Sequence, residues 1–143
     1  MGYTTYYIRQ GQTRNFLVEE FGPFQRGNES VISIATVAEL RVIARKAPWG
    51  TAKLELMETL MRASLIIPVE SYDLVQAYVD IESYSIGCHP SLTKLGSAVK
   101  LGKNDLWIAA TTVVTQATLL TSDGDFDHLH ETFFSVIRYS RQQ

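Results

Sequence analysis

Asn104-Asp105-Leu106-Trp107-Ile108-Ala109-Ala110 sets one carboxylate at the mouth of a segment that is otherwise almost wholly apolar. From Leu106 to Val114 every residue is aliphatic, aromatic or threonine. A helix that is apolar all round is a buried helix, so Asp105 belongs where the core meets whatever lies beyond the helix start. An unpaired buried charge is costly, and the carboxylate needs a partner there. One partner is the helix itself, with Asn104 as N-cap and Asp105 favoured by the macrodipole. The other is a metal ion shared with further carboxylates.

Two more acids occupy comparable positions. Ala117-Thr118-Leu119-Leu120-Thr121 reads as a short buried strand running into Ser122-Asp123-Gly124-Asp125-Phe126. Ser30-Val31-Ile32-Ser33-Ile34 reads as another, leading through Thr36 into the helix that carries Glu39. Glu39 and Asp123 therefore follow the carboxyl ends of strands, where open α/β sheets bind ligands. Each acid also has a local explanation. Thr36 and Glu39 have capping-box spacing, and Asp123-Gly124 is a turn dipeptide that Asp125 would support. Taken together, the acids favour a hard cation, and their carboxylates are expected to face one shared cleft.

Thr36-Val37-Ala38-Glu39-Leu40-Arg41, Asn104-Asp105-x-x-Ile108-Ala109-Ala110 and Leu120-Thr121-x-Asp123-x-Asp125-Phe126, in that order, resemble the signatures of PIN-domain ribonucleases. The resemblance is greatest to the VapC-type toxins of bacterial toxin–antitoxin pairs and runs from about Tyr6 to Arg138. It implies a single α/β domain over residues 1–143, with a short, mostly parallel sheet flanked by helices. It also implies an endoribonuclease dependent on Mg²⁺ (or Mn²⁺), with Glu39, Asp105 and Asp123 as catalytic, metal-holding carboxylates and Asp125 as a further candidate ligand. The implied partners are an RNA substrate, a cognate antitoxin protein and a second copy of the chain in a homodimer.

The chain departs from the family at its start. Members open with a hydrophobic strand ending in an Asp-Thr-Asn-like tripeptide, whereas no aspartate precedes Asp73 here. Tyr6-Tyr7-Ile8-Arg9 resembles the stretch after that tripeptide, inside the first helix. On this reading a ligand and a central strand are missing, and restoring them should raise cleavage. Alternatively Tyr3 to Ile8, rich in β-formers, serves as an altered first strand.

Composition agrees with one globular domain: 143 residues, 45% hydrophobic and 20% charged. A net charge of −2 gives no global attraction for nucleic acid, so RNA would be held by a local basic patch. Arg41, with Arg45 and Lys46 on the same helix, and Lys100 and Lys103 on the approach to Asp105, are the candidate RNA-binding cations. No acid occurs between Ser83 and Asn104. The lone Cys88 excludes an internal disulfide and suits the cytoplasm. No apolar run reaches transmembrane length, and no membrane partner is expected.

Helices are expected over Arg14–Phe21, Thr36–Lys46, Thr51–Ala63, Ser71–Ser83 and Ser91–Leu101, with strands at Leu65–Ile67 and Phe133–Ile137. Short buried strands alternating with helices argue for a parallel sheet. His128 and His130 follow the acidic turn as candidate acids or bases, or as exposed loop residues. The competing reading is a catalytically impaired PIN-like remnant that binds an antitoxin or RNA without cutting. The helix carrying Met57 and Met61 would then supply an adaptable apolar surface.

Overall fold

Strand β1 (Tyr3–Tyr6) runs between β2 (Glu29–Ser33) and β4 (Thr118–Thr121) at the centre of a sheet ordered β3-β2-β1-β4-β5. The computed structural model describes residues 3–6 and 29–139, the first of these stretches by its backbone alone. Edge strands β3 (Leu65–Ile67) and β5 (Val136–Arg138) complete the sheet, and every pairing is parallel. The central position is thus filled by the tyrosine- and threonine-rich start of the chain, correcting the expectation of a missing central strand. Residues Tyr7 to Arg9 and the helix expected over Arg14–Phe21 lie outside the described residues.

Parallel strands need crossover connections, and helices provide them. Helix α1 (Ile34–Lys46) leaves β2 without a linker. Its N-cap is Ser33, whose hydroxyl accepts from the Ala35 amide at 3.2 Å, and not Thr36, which is buried within the first turn. The capping box read at Thr36 and Glu39 is therefore replaced by an earlier cap, and Glu39 falls in the second helical turn. Helix α2 (Thr51–Arg62) buries Met57 and Met61, so these methionines belong to the core and cannot form the adaptable surface considered above. Helix α3 (Tyr72–Ser85) is capped by Ser71, which accepts from Leu74 N at 3.2 Å.

Helix α4 (Lys103–Val114) lies innermost, packed on α1, α3, β2 and β4. Leu106, Ile108, Ala109, Ala110, Thr111 and Thr112 are buried, as its unbroken apolarity requires. Its small residues let neighbours approach closely. The buried hydroxyls of Thr111 and Thr112 donate to the carbonyls of Trp107 and Ile108, both at 2.8 Å, so neither loses its hydrogen bond on burial. The N-cap is Gly102, not Asn104.

Residues 86–102 form no helix, against the expectation for Ser91–Leu101. Side chains compete here for the backbone groups that a helix would use. His89 Nδ1 accepts from the amides of Ser91 and Leu92, and Lys94 Nζ donates to the carbonyls of Leu95 and Ser97. Gly87 and Gly96 adopt φ of 83° and 81°, which a residue with a Cβ rarely does. The last strand begins at Val136 rather than Phe133, because the Phe133 amide turns back onto Leu129 O.

Candidate active site at the carboxyl edge of the sheet

Because all strands are parallel, their carboxyl ends share one edge of the sheet. Helix α1 begins there. Helix α4 enters β4 after only residues 115–117, so it runs against that strand and its N-terminus points back to the same edge. Asp123 follows β4 directly. Topology alone thus delivers Glu39, Asp105 and Asp123, all half-buried, to one side of the domain. Among the described residues, no three His, Cys, Asp or Glu side chains stand close enough to hold a metal ion.

Local geometry accounts for Asp105 and Asp123. Asp105 occupies the third position of α4, and its Oδ2 lies 3.6 Å from where a Cβ on Gly102 would sit. The carboxylate bends back over the helix start, where the macrodipole favours it. Asp123 is organised by Thr121, a fully buried residue at the end of β4. Thr121 Oγ1 accepts from the Asp123 amide at 3.0 Å, and Asp123 Oδ1 accepts from the Asp125 amide at 2.9 Å. This cap starts a 3-10 helix over Gly124–Leu129, so the turn function read for Asp123 is realised. Asp125 itself is exposed.

The cations are spread more widely. Lys100 and Lys103 are exposed near the start of α4. Arg41 Nη1 donates to Glu58 Oε1 at 2.8 Å, tying α1 to α2, so this guanidinium has a partner within the chain. Arg138, which sequence reading did not single out, stands at the end of β5 beside the Asp123 turn. Its register partner is Thr121, and its Nη1 donates to Asp127 Oδ2 at 2.7 Å. The signal for it was strand order, which the residues do not spell out.

His128 sits elsewhere and is not a merely exposed loop residue. Its Nε2 lies 2.7 Å from the buried Ser85 Oγ, joining the 3-10 helix to the end of α3. Burial, aided by the Lys94 ammonium, holds the imidazole below its ordinary pKa. The depressed folded value means the unfolded chain takes up the proton first. The His128 contribution to stability is therefore whole above about pH 6.5 and is lost as the pH falls further. Urea titrations between pH 7 and 5 should lose more stability in the parent chain than in His128→Gln. Equal losses would show that this imidazole is not the group responsible. His130, by contrast, is exposed and accepts from Val136 N at 2.9 Å.

The sequence profile of the PIN domain family matches residues 14–131. The chain belongs to the PIN domain family. PIN domains are generally nucleases and generally use a divalent metal, which makes this a hydrolase-type domain. No curated protein matches the chain. Among solved structures, VapBC-1 from nontypeable Haemophilus influenzae is similar with a TM-score of 0.63 at 18% identity, covering 96% of this chain and 98% of the other. VapBC2 from Rickettsia felis, bound to a DNA fragment from its promoter, gives 0.63 at 18%, covering 98% and 100%. VapBC-5 from Mycobacterium tuberculosis, of a toxin–antitoxin family, gives 0.63 at 20%, covering 97% and 100%. At these identities the likeness is one of fold, and it extends over nearly the whole PIN domain. Among the described residues, no helix is long and apolar enough to cross a membrane.

Proposed function

We propose that this chain is a metal-dependent endoribonuclease of the VapC toxin type, acting in the cytoplasm and held in check by a cognate antitoxin. The observation that carries this reading is a PIN domain with Glu39, Asp105 and Asp123 on the carboxyl edge of its parallel sheet. The toxin–antitoxin complexes of like fold support an antitoxin partner. A homodimer is proposed with it.

Carboxylates are hard oxygen donors of the kind Mg²⁺ and Mn²⁺ take, so the donor chemistry fits such an ion. Glu39, Asp105 and Asp123 would hold it, with Asp125 as an additional ligand. When bound, the ion supplies charge against the scissile phosphate and makes a water molecule a better nucleophile at neutral pH. The protein's own part is to orient and to hold. Thr121 and the Asp125 amide fix the Asp123 carboxylate, and the α4 N-terminus fixes Asp105. Lys100, Lys103 and Arg41 supply cations for the RNA backbone, with Arg41 exchanging its Glu58 contact for phosphate. No Ser, Cys or His nucleophile is required.

The absence of a ready-made triad among the described residues predicts weak, ion-selective binding. Mg²⁺ demands near-ideal octahedral geometry, whereas Mn²⁺ binds mixed oxygen and nitrogen sites more readily. Titration calorimetry should therefore find Mn²⁺ bound more tightly than Mg²⁺, and Asp105→Asn should weaken both. Tight Mg²⁺ binding that survives this substitution would remove the carboxyl edge as the metal site. Incubating the chain with single-stranded RNA, with and without Mn²⁺ and chelator, tests the activity itself. That same open arrangement favours a second reading, in which the domain binds RNA or an antitoxin without cutting. Metal binding and RNA binding without any cleavage would select it.

A further inference from the structure

We infer that Arg138 is a phosphate-binding residue of the nuclease site, holding the substrate backbone beside the Asp123 carboxylate. The inference rests on the nuclease reading above and adds to it a residue from the neighbouring edge strand, β5. Three observations support it. The first is position. β5 pairs with β4 in parallel, Arg138 lies level with Thr121, and the Tyr139 amide donates to Thr121 O at 3.1 Å. Thr121 therefore holds the Asp123 turn through its hydroxyl and the end of β5 through its carbonyl. Acid and guanidinium are built on one rigid frame.

The second is pre-organisation. The guanidinium lies flat over Gly124, where an added Cβ would come within 3.0 Å of Nη1, 3.2 Å of Cζ and 3.4 Å of Nη2. A Cβ there would push the end of the arginine away by a few tenths of an ångström, and Gly124 directly follows Asp123. Asp127 anchors Nη1 alone, so among the described residues Nε and Nη2 donate to no acceptor. The side chain remains half-exposed. An anchored arginine with spare donors on its planar fork suits bidentate phosphate recognition.

The third is contrast with other cations. Lys53 lies over the Trp49 ring, and Lys94 is spent on loop carbonyls. Lys100 and Lys103 reach the edge on flexible stems from the α4 side. Arg138 comes from the β5 side, so a backbone crossing the carboxyl edge would meet cations on both flanks.

The competing account makes Arg138 a clamp that merely ties β5 to the 3-10 helix through Asp127. The two accounts separate in single-stranded RNA binding, measured by fluorescence anisotropy in chelator over a range of salt. Asp127→Ala breaks the clamp but keeps the cation, whereas Arg138→Ala removes both. The expected result is about ten-fold weaker binding for Arg138→Ala, the size of one hydrogen-bonded charge contact. Its salt dependence should also be shallower by about 0.7 in the log–log slope, the value for one phosphate contact on a single strand. Asp127→Ala should bind RNA as well as the parent or better, and Arg138→Lys should fall between, keeping charge without the fork. Thermal melts run alongside, and if Arg138→Ala does not fold, the Lys and Asp127 variants decide alone. Equal weakening by Arg138→Ala and Asp127→Ala, or parent-like binding by Arg138→Ala, would overturn the inference while leaving the nuclease reading intact. Failure of the parent chain to bind RNA would overturn both.

Discussion

Asp105→Asn is expected to lower metal-dependent RNA cleavage by about 10²-fold or more, the scale of losing one charged group pre-organised for the reaction. The isosteric change keeps the size and shape of the side chain and removes only its charge. Asp105 also sits in the first turn of α4, where the macrodipole favours an anion. Losing that contribution costs about 0.3–1 kcal/mol. A cost of that size cannot empty the folded state of a typical domain. A hundred-fold loss of activity with an almost unchanged melting temperature would therefore identify a functional carboxylate. A loss that tracked unfolding would assign Asp105 to the helix alone, and undiminished cleavage would remove it from the site. Asp123→Asn should show a comparable loss, since its amide oxygen can still accept from the Asp125 amide and preserve the turn.

Phe126→Ala should produce the largest loss of stability. This ring is fully buried, directly after the acidic turn, in a cluster with Leu106, Leu119, Leu129 and Phe134. Truncating a buried Phe to Ala costs about 3–5 kcal/mol, through lost transfer energy and the cavity left behind. For a chain of this size that is a fall in melting temperature on the order of 10 °C. Circular dichroism melts would measure it. A change within about 2 °C would mean that the 3-10 segment is not part of the cooperative core. Because Phe126 anchors the segment that follows Asp123, activity should also fall at temperatures where the variant is still folded.

The parts of this protein that sequence made legible are those where one chemical property covers a whole element. The unbroken apolar run from Leu106 to Val114 could only be an interior helix, and α4 is the innermost one. The short apolar run Ala117–Thr121, which leads into the acidic turn, reads as a buried strand, and β4 is one. Where local and tertiary demands competed, the residues were ambiguous. Asn104 and Thr36 are good caps by type, yet Gly102 and Ser33 cap the helices; Ser33 does so because β2 ends there and the helix follows at once. The segment Ser91–Leu101 has helical composition, but His89 and Lys94 bind its backbone first.

The candidate site divides in the same way. Sequence by itself determined which carboxylates follow strands or open the core helix, because those positions depend on neighbours only a few residues away. It also carried the motif order that marks a PIN domain. Only the tertiary structure decided that the start of the chain becomes the central strand, since β1 is defined by hydrogen bonds to β2 and β4, far off in the chain. Only the tertiary structure joined Arg138 to Asp123, through parallel pairing at the far edge of the sheet. Strand order is a long-range property, set by which crossovers bury the most apolar surface, and no window of sequence contains it.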